Sequence, residues 1–103
     1  MDKDLLLAML EASSVWLCSK NTYIQLRAEY VQCHIRLCLV SAEIEDPCRA
    51  YTKKEMSYMR KKETALMGYE NAIEKQIKVC YPGTTLTDIF KELRGIINAK
   101  RLD

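Results

Sequence analysis

Apolar residues recur along the first half of the chain at alternating steps of four and three. Leu5, Met9, Ala12, Trp16, Tyr23, Leu26, Tyr30, Cys33, Leu37, Val40 and Ile44 hold one register, and Ser19 alone interrupts it. That spacing marks a helix lying along a partner helix in coiled-coil fashion. It predicts one continuous first helix of about 40 residues, roughly 60 Å long at about 1.5 Å per residue. A competing signal sits inside it, where Thr22 and Gln25 fit a capping box that would start a new helix. Continuity is the preferred reading, because the seam keeps its phase through this stretch. A break at Ser19 to Thr22 would instead give a compact four-helix bundle.

Asp46-Pro47 reads as a stop and immediate restart, since Asp caps a helix whose first position Pro can occupy without losing a useful N–H. The second segment carries Met56, Met59, Leu66, Tyr69, Ile73, Ile77 and Cys80 in helical phase, and Tyr81-Pro82-Gly83 ends it. Thr85 and Asp88 then cap a last helix striped with Leu86, Ile89, Phe90, Leu93, Ile96 and Ile97. The predicted fold is all-α, a single domain over residues 1–103: a long antiparallel hairpin with a shorter third helix on its N-terminal half.

In a tight hairpin about Asp46 the numbers of facing residues total about 92, because both helices rise equally per residue. Cys33 then faces Met59, Leu26 faces Leu66, Tyr23 faces Tyr69, and Tyr30 meets Lys62 and Glu63. The last helix reaches only to the level of Leu26 and Leu66. Beyond it Tyr30, Cys33, Leu37, Val40, Ile44, Met56 and Met59, with a second row of Val31, Ile35 and Leu39, would stay uncovered. An apolar patch of that extent predicts an interface. Its simplest occupant is a second copy, in a homodimer, or another chain in a heteromeric helical complex.

Composition and charge refine this picture. At 103 residues, 49% hydrophobic and 29% charged, with 3 Gly and 2 Pro, the chain should fold as one domain. The net charge of +2 is too small to imply nucleic acid. Residues 47–62, however, carry six Lys or Arg against one acid. This tract holds Arg49, Lys53, Lys54, Arg60, Lys61 and Lys62 among Tyr51, Met56, Tyr58 and Met59, which suits an acidic protein partner or, less well, a phosphate backbone. The first residues place acids where a signal peptide needs cations, and their apolar run is too short to span a bilayer. Neither secretion nor membrane insertion is expected. Five cysteines at irregular spacing suggest reduced thiols in the cytoplasm.

Candidate chemistry centres on Tyr30 to Cys38, where two cysteines flank the only histidine. His34 and Cys38 lie one turn apart, while Cys33 points about 100° away into the seam. The residues expected opposite, Tyr58 and Lys54, are poor zinc ligands, so packing is the better reading and no metal or cofactor is expected. A Cys–His nucleophile is disfavoured for the same geometric reason. Tyr23 and Tyr69 sit in short motifs of the phosphotyrosine type, yet both fall on seam positions, out of a kinase's reach. An all-helical enzyme acting on a dicarboxylate would need inward cations, whereas Lys20, Arg27 and Arg36 lie off the seam.

No catalytic residue is therefore expected. The pattern points to a non-enzymatic helical interaction module, such as an adaptor, assembly subunit, chaperone or inhibitor. Tyr30, Cys33, Leu37, Val40, Ile44, Met56 and Met59 would form its interface, and the six cations of the tract would set orientation. The alternative is a dimeric nucleic-acid-associated regulator that places residues 49–62 on phosphates.

Overall fold

A computed structural model describes residues 3–83 and 85–102, apart from the side chains of 100–102. Among these residues the chain is all-helical: α1 (Lys3–Ser14), a 3₁₀ turn (Val15–Cys18), α2 (Thr22–Glu45), α3 (Lys53–Cys80) and α4 (Leu86–Leu102). The single first helix expected over residues 5–44 is two helices, and the cause is local chemistry. The hydroxyls of Ser13 and Ser14 donate to the carbonyls of Leu10 (3.1 Å) and Glu11 (2.6 Å), occupying acceptors at the end of α1. The chain tightens to 3₁₀ and leaves the helix at Ser19, whose ψ is 144°.

It restarts on Asn21 rather than Thr22. The Asn21 carboxamide oxygen accepts from the Tyr23 (2.9 Å) and Ile24 (3.4 Å) amides. Gln25, expected in a capping box with Thr22, instead donates to the Ser19 carbonyl and closes the corner. α1 thereby folds back along α2, and the Gln32 amide donates to the Leu10 carbonyl at 3.4 Å.

The restart at Pro47 is also displaced. Asp46 accepts from the Cys48 amide in a local turn (2.9 Å), and α3 begins at Lys53 behind Thr52. Thr52 and Glu55 form a reciprocal capping box, the Thr52 hydroxyl accepting from the Glu55 amide and the Glu55 carboxylate from the Thr52 amide. The longer connection shifts the register of the hairpin. Cys33 meets Leu66, Ser41 meets Glu63, His34 meets Glu70 and the Tyr23 ring lies tilted against that of Tyr81, so facing numbers total 99 to 104 rather than about 92. Gly83 has φ +151°, a conformation that side-chain-bearing residues rarely adopt, and it lets the chain turn after α3. The Thr85 hydroxyl accepts from the Asp88 amide at 3.3 Å, so α4 starts where the sequence places it.

α4 packs on α1, and its Phe90 lies against Tyr30 and His34 of α2. One core joins Leu6 and Met9 with Leu26, Tyr30, Val31, Cys33 and Ile35, then Ile73 and Ile77, then Ile89, Leu93 and Ile97. Tyr30, Cys33, Val31 and Ile35 are thus covered by the chain's own helices, contrary to the uncovered seam expected for them. Val40 and Ile44 are also buried, within the hairpin itself but outside this core. Tyr69 and Cys80, expected in the seam, are exposed.

The far end of the hairpin projects. Buried residues of α3 are confined to Ile73 and Ile77. Its 28 residues span about 42 Å, which matches the long dimension of the molecule, 42 Å. The radius of gyration is 15.3 Å, against about 13 Å for a compact chain of this size.

Candidate functional site

The projecting tip, where α2 hands over to α3, combines an exposed aromatic residue with the basic tract. A hollow of about 330 Å³ is lined by Tyr51, Lys54, Glu55, Tyr58 and Met59. Tyr58 is 66% exposed, a large aromatic ring in water beside the half-buried Met59 and Tyr51. Leu37 of α2 and Met56 of α3, both expected at an interface, are half-buried. Of the residues predicted to bind a partner, Leu37, Met56 and Met59 retain accessible surface. Tyr30, Cys33, Val40 and Ile44 serve the interior.

All six cations of the tract are exposed. Arg49 pairs with Asp46 at 3.7 Å and Arg60 with Glu63 at 3.2 Å, both within the chain's own local sequence. Among the described residues Lys53, Lys54, Lys61 and Lys62 make no ion pair with the chain. Lys53 and Lys54 stand in the first turn of α3, where the helix dipole disfavours cations. Two lysines placed against the dipole, without a carboxylate partner, break a local preference for no internal gain.

His34 and Cys38, expected to flank the seam without partners, sit in a different environment. His34 Nδ1 lies 2.8 Å from the Glu70 carboxylate, and its ring is 6.1 Å from Tyr30 and 5.2 Å from Phe90. The register shift replaces Tyr58 and Lys54 with Glu70 opposite this histidine. Burial, then Glu70 and Glu74, push the Tyr30 hydroxyl well above its ordinary value of 10.0. Burial and Glu70 raise the Cys33 and Cys38 thiols above 9.0. These groups therefore stay protonated at neutral pH, which suits packing and opposes thiolate chemistry. Among the described residues no three His, Cys, Asp or Glu side chains are placed to hold a metal ion. No described helix is long and apolar enough to cross a membrane.

Thiol labelling checks this division. Cys18, Cys48 and Cys80 are exposed, whereas Cys33 is buried and Cys38 half-buried. In the native protein at neutral pH, three equivalents of iodoacetamide should add quickly and the last two only on unfolding. Rapid labelling of all five would contradict the packed arrangement around Glu70.

Neither family models, curated proteins nor solved structures give a match to this chain. The functional reading rests on the surface just described.

Proposed function

We propose that the chain is a non-enzymatic helical interaction module, working in a reducing compartment as an adaptor, assembly subunit, chaperone or inhibitor, and that its hairpin tip engages an acidic, amphipathic protein segment. An apolar side chain of that partner enters the hollow of Tyr51, Tyr58 and Met59. Its carboxylates face Lys53, Lys54 and Lys61. The observation that carries the reading is the coincidence of the two features: an aromatic and methionine hollow has Lys54 in its wall and lies on a tract whose lysines make no ion pair among the described residues. Aromatic anchors dominate binding energy at interfaces, and rim charges raise the association rate. Methionine adapts to partners of more than one shape.

The probe is a fluorescent, acidic, amphipathic helical peptide with leucine anchors, compared with a DNA duplex of arbitrary sequence. The peptide should bind. Met59→Asp should weaken it by about tenfold or more, and joint replacement of Lys53 and Lys54 by Glu should slow its association. Peptide affinity should persist from low to physiological salt. Duplex binding that exceeds peptide binding and collapses steeply with salt would replace this reading with the phosphate-binding one.

A further inference from the structure

The tip is not the only open surface. On the side of α2 away from Phe90, two hollows of about 490 Å³ each share Arg36 and Leu66 and so form one groove. Its floor is the α2 face from Glu29 through Gln32, Cys33 and Arg36 to Val40 and Glu43. Leu17 of the 3₁₀ turn walls one end, and Lys62, Leu66 and Tyr69 of α3 wall the other side. Leu17 is 41% and Tyr69 64% exposed. From Glu29 to Glu43 the groove runs for about 21 Å, four helical turns.

We propose that this groove is a two-fold interface for a second copy of the same chain. The choice of occupant follows from the charges. Unlike the tip, the groove is balanced, with Glu29 and Glu43 against Arg36 and Lys62. Arg36 and Glu43 lie on one face of α2, seven residues apart. That is about 10.5 Å of rise, too far for an intrahelical pair. Among the described residues the Arg36 guanidinium hydrogen-bonds the Gln32 carboxamide oxygen, at 3.4 Å, and makes no ion pair. Opposite charges spaced in this way on one helix complement an antiparallel copy of that helix. With the symmetry axis level with Leu39 and Val40, Arg36 meets Glu43 of the second copy, and Glu43 meets Arg36 of the second copy. Symmetry makes each contact twice. Lys62, in the same hollow, gives the incoming Glu43 a second cation. The half-buried Leu39 and Leu66 then close over each other at the centre. A parallel copy, or a partner of single charge, would leave these charges mismatched.

The groove is small, so association belongs to the weak end of specific interfaces. Sedimentation velocity on the full chain, from low micromolar to millimolar concentration, reads it directly. The wild type should show a monomer–dimer equilibrium. Arg36→Glu and Glu43→Arg should each weaken the dimer by about tenfold or more. The double variant, Arg36→Glu with Glu43→Arg, reforms both pairs with the signs reversed and should return the constant close to wild type. Both residues are exposed, so the helical circular dichroism of all three variants should match the parent. A chain that stays monomeric throughout would overturn the proposal, as would a dimer indifferent to Glu43→Arg or a double variant no better than the singles. The tip lysines are intact in every variant. Failure here therefore leaves the tip reading standing, and failure of the peptide probe leaves this one standing.

Discussion

Ile35→Ala should destabilise the chain by about 2–5 kcal/mol, a large fraction of the roughly 5–15 kcal/mol available to a domain. Ile35 is fully buried. It stands with Val31 about 160–200° around α2 from Cys33, and Cys33 touches α3. The two isoleucine and valine side chains therefore point away from the hairpin partner and join the core that includes Leu6 and Met9 of α1. Truncation leaves a void between helices whose backbones are held by other contacts, so the cavity persists and the loss exceeds the transfer term alone. In urea, the midpoint should fall with the slope unchanged and with no dependence on protein concentration. A loss that disappears on dilution, or a variant as stable as the parent that merely fails to associate, would show that another molecule covers Ile35.

That residue also shows where the sequence was misleading. The apolar seam from Leu5 to Ile44 is real, and most of its members are buried or half-buried. Periodicity identifies which face of a helix is wet and which is dry, but it does not record whether the axis continues. Two amphipathic helices can share a phase by accident across a break. The signals of the break were present, in consecutive serines able to bond back to Leu10 and Glu11, followed by β-branched Val15, with Asn21 as a strong cap. Each is weak beside an unbroken register. Once α1 folds back, the second row of Val31 and Ile35 acquires a neighbour, and the expected uncovered patch shrinks to the tip and the groove beside Leu39.

The hairpin register failed for a related reason. Asp46-Pro47 is a sound stop, but the next N-cap with its matching Glu is Thr52 with Glu55. Placing the restart there moves the facing residue of His34 into the second half of α3 and brings Glu70 opposite it. The final helix, its Thr85 cap and its buried stripe at Ile89, Leu93 and Ile97 were legible, since nothing competes with those signals. The basic tract was legible as composition. Its pairing was legible only in part: Arg49 and Arg60 pair with carboxylates three residues away, Asp46 and Glu63, whereas that the four lysines make no ion pair among the described residues depends on the fold.

Arg27→Ala is expected to cost about 2 kcal/mol and to move the emission of Trp16, the chain's single tryptophan. Arg27 lies off the predicted seam, yet it fastens three elements at once. Its guanidinium sits 4.6 Å above the Trp16 ring and 5.4 Å from the Tyr23 ring, and it pairs with Glu92 of α4. The side chain is 12% exposed, so its cation–π contact operates in a partly desolvated setting, toward the upper part of the usual range of about 0.5–2 kcal/mol. Glu92, at 52% exposed, is solvated without its partner, so Arg27→Ala strands no buried charge, and in Glu92→Gln the carboxamide oxygen can still accept from the guanidinium. Glu92→Gln should therefore leave Trp16 emission nearly unchanged, whereas Arg27→Ala should shift it to the red as the 3₁₀ turn loosens. Arg27→Lys keeps the charge but loses the flat face that stacks on the indole, and should fall between the two. The consequence extends to the groove, because Leu17 follows Trp16 directly and forms its end wall. Arg27→Ala should weaken self-association even though Arg27 lies outside the groove, and Glu92→Gln should not. Equal effects of the two variants on Trp16 emission would show that the turn is held by charge alone, and would remove the stacked guanidinium as the reason that the broken first helix keeps its shape.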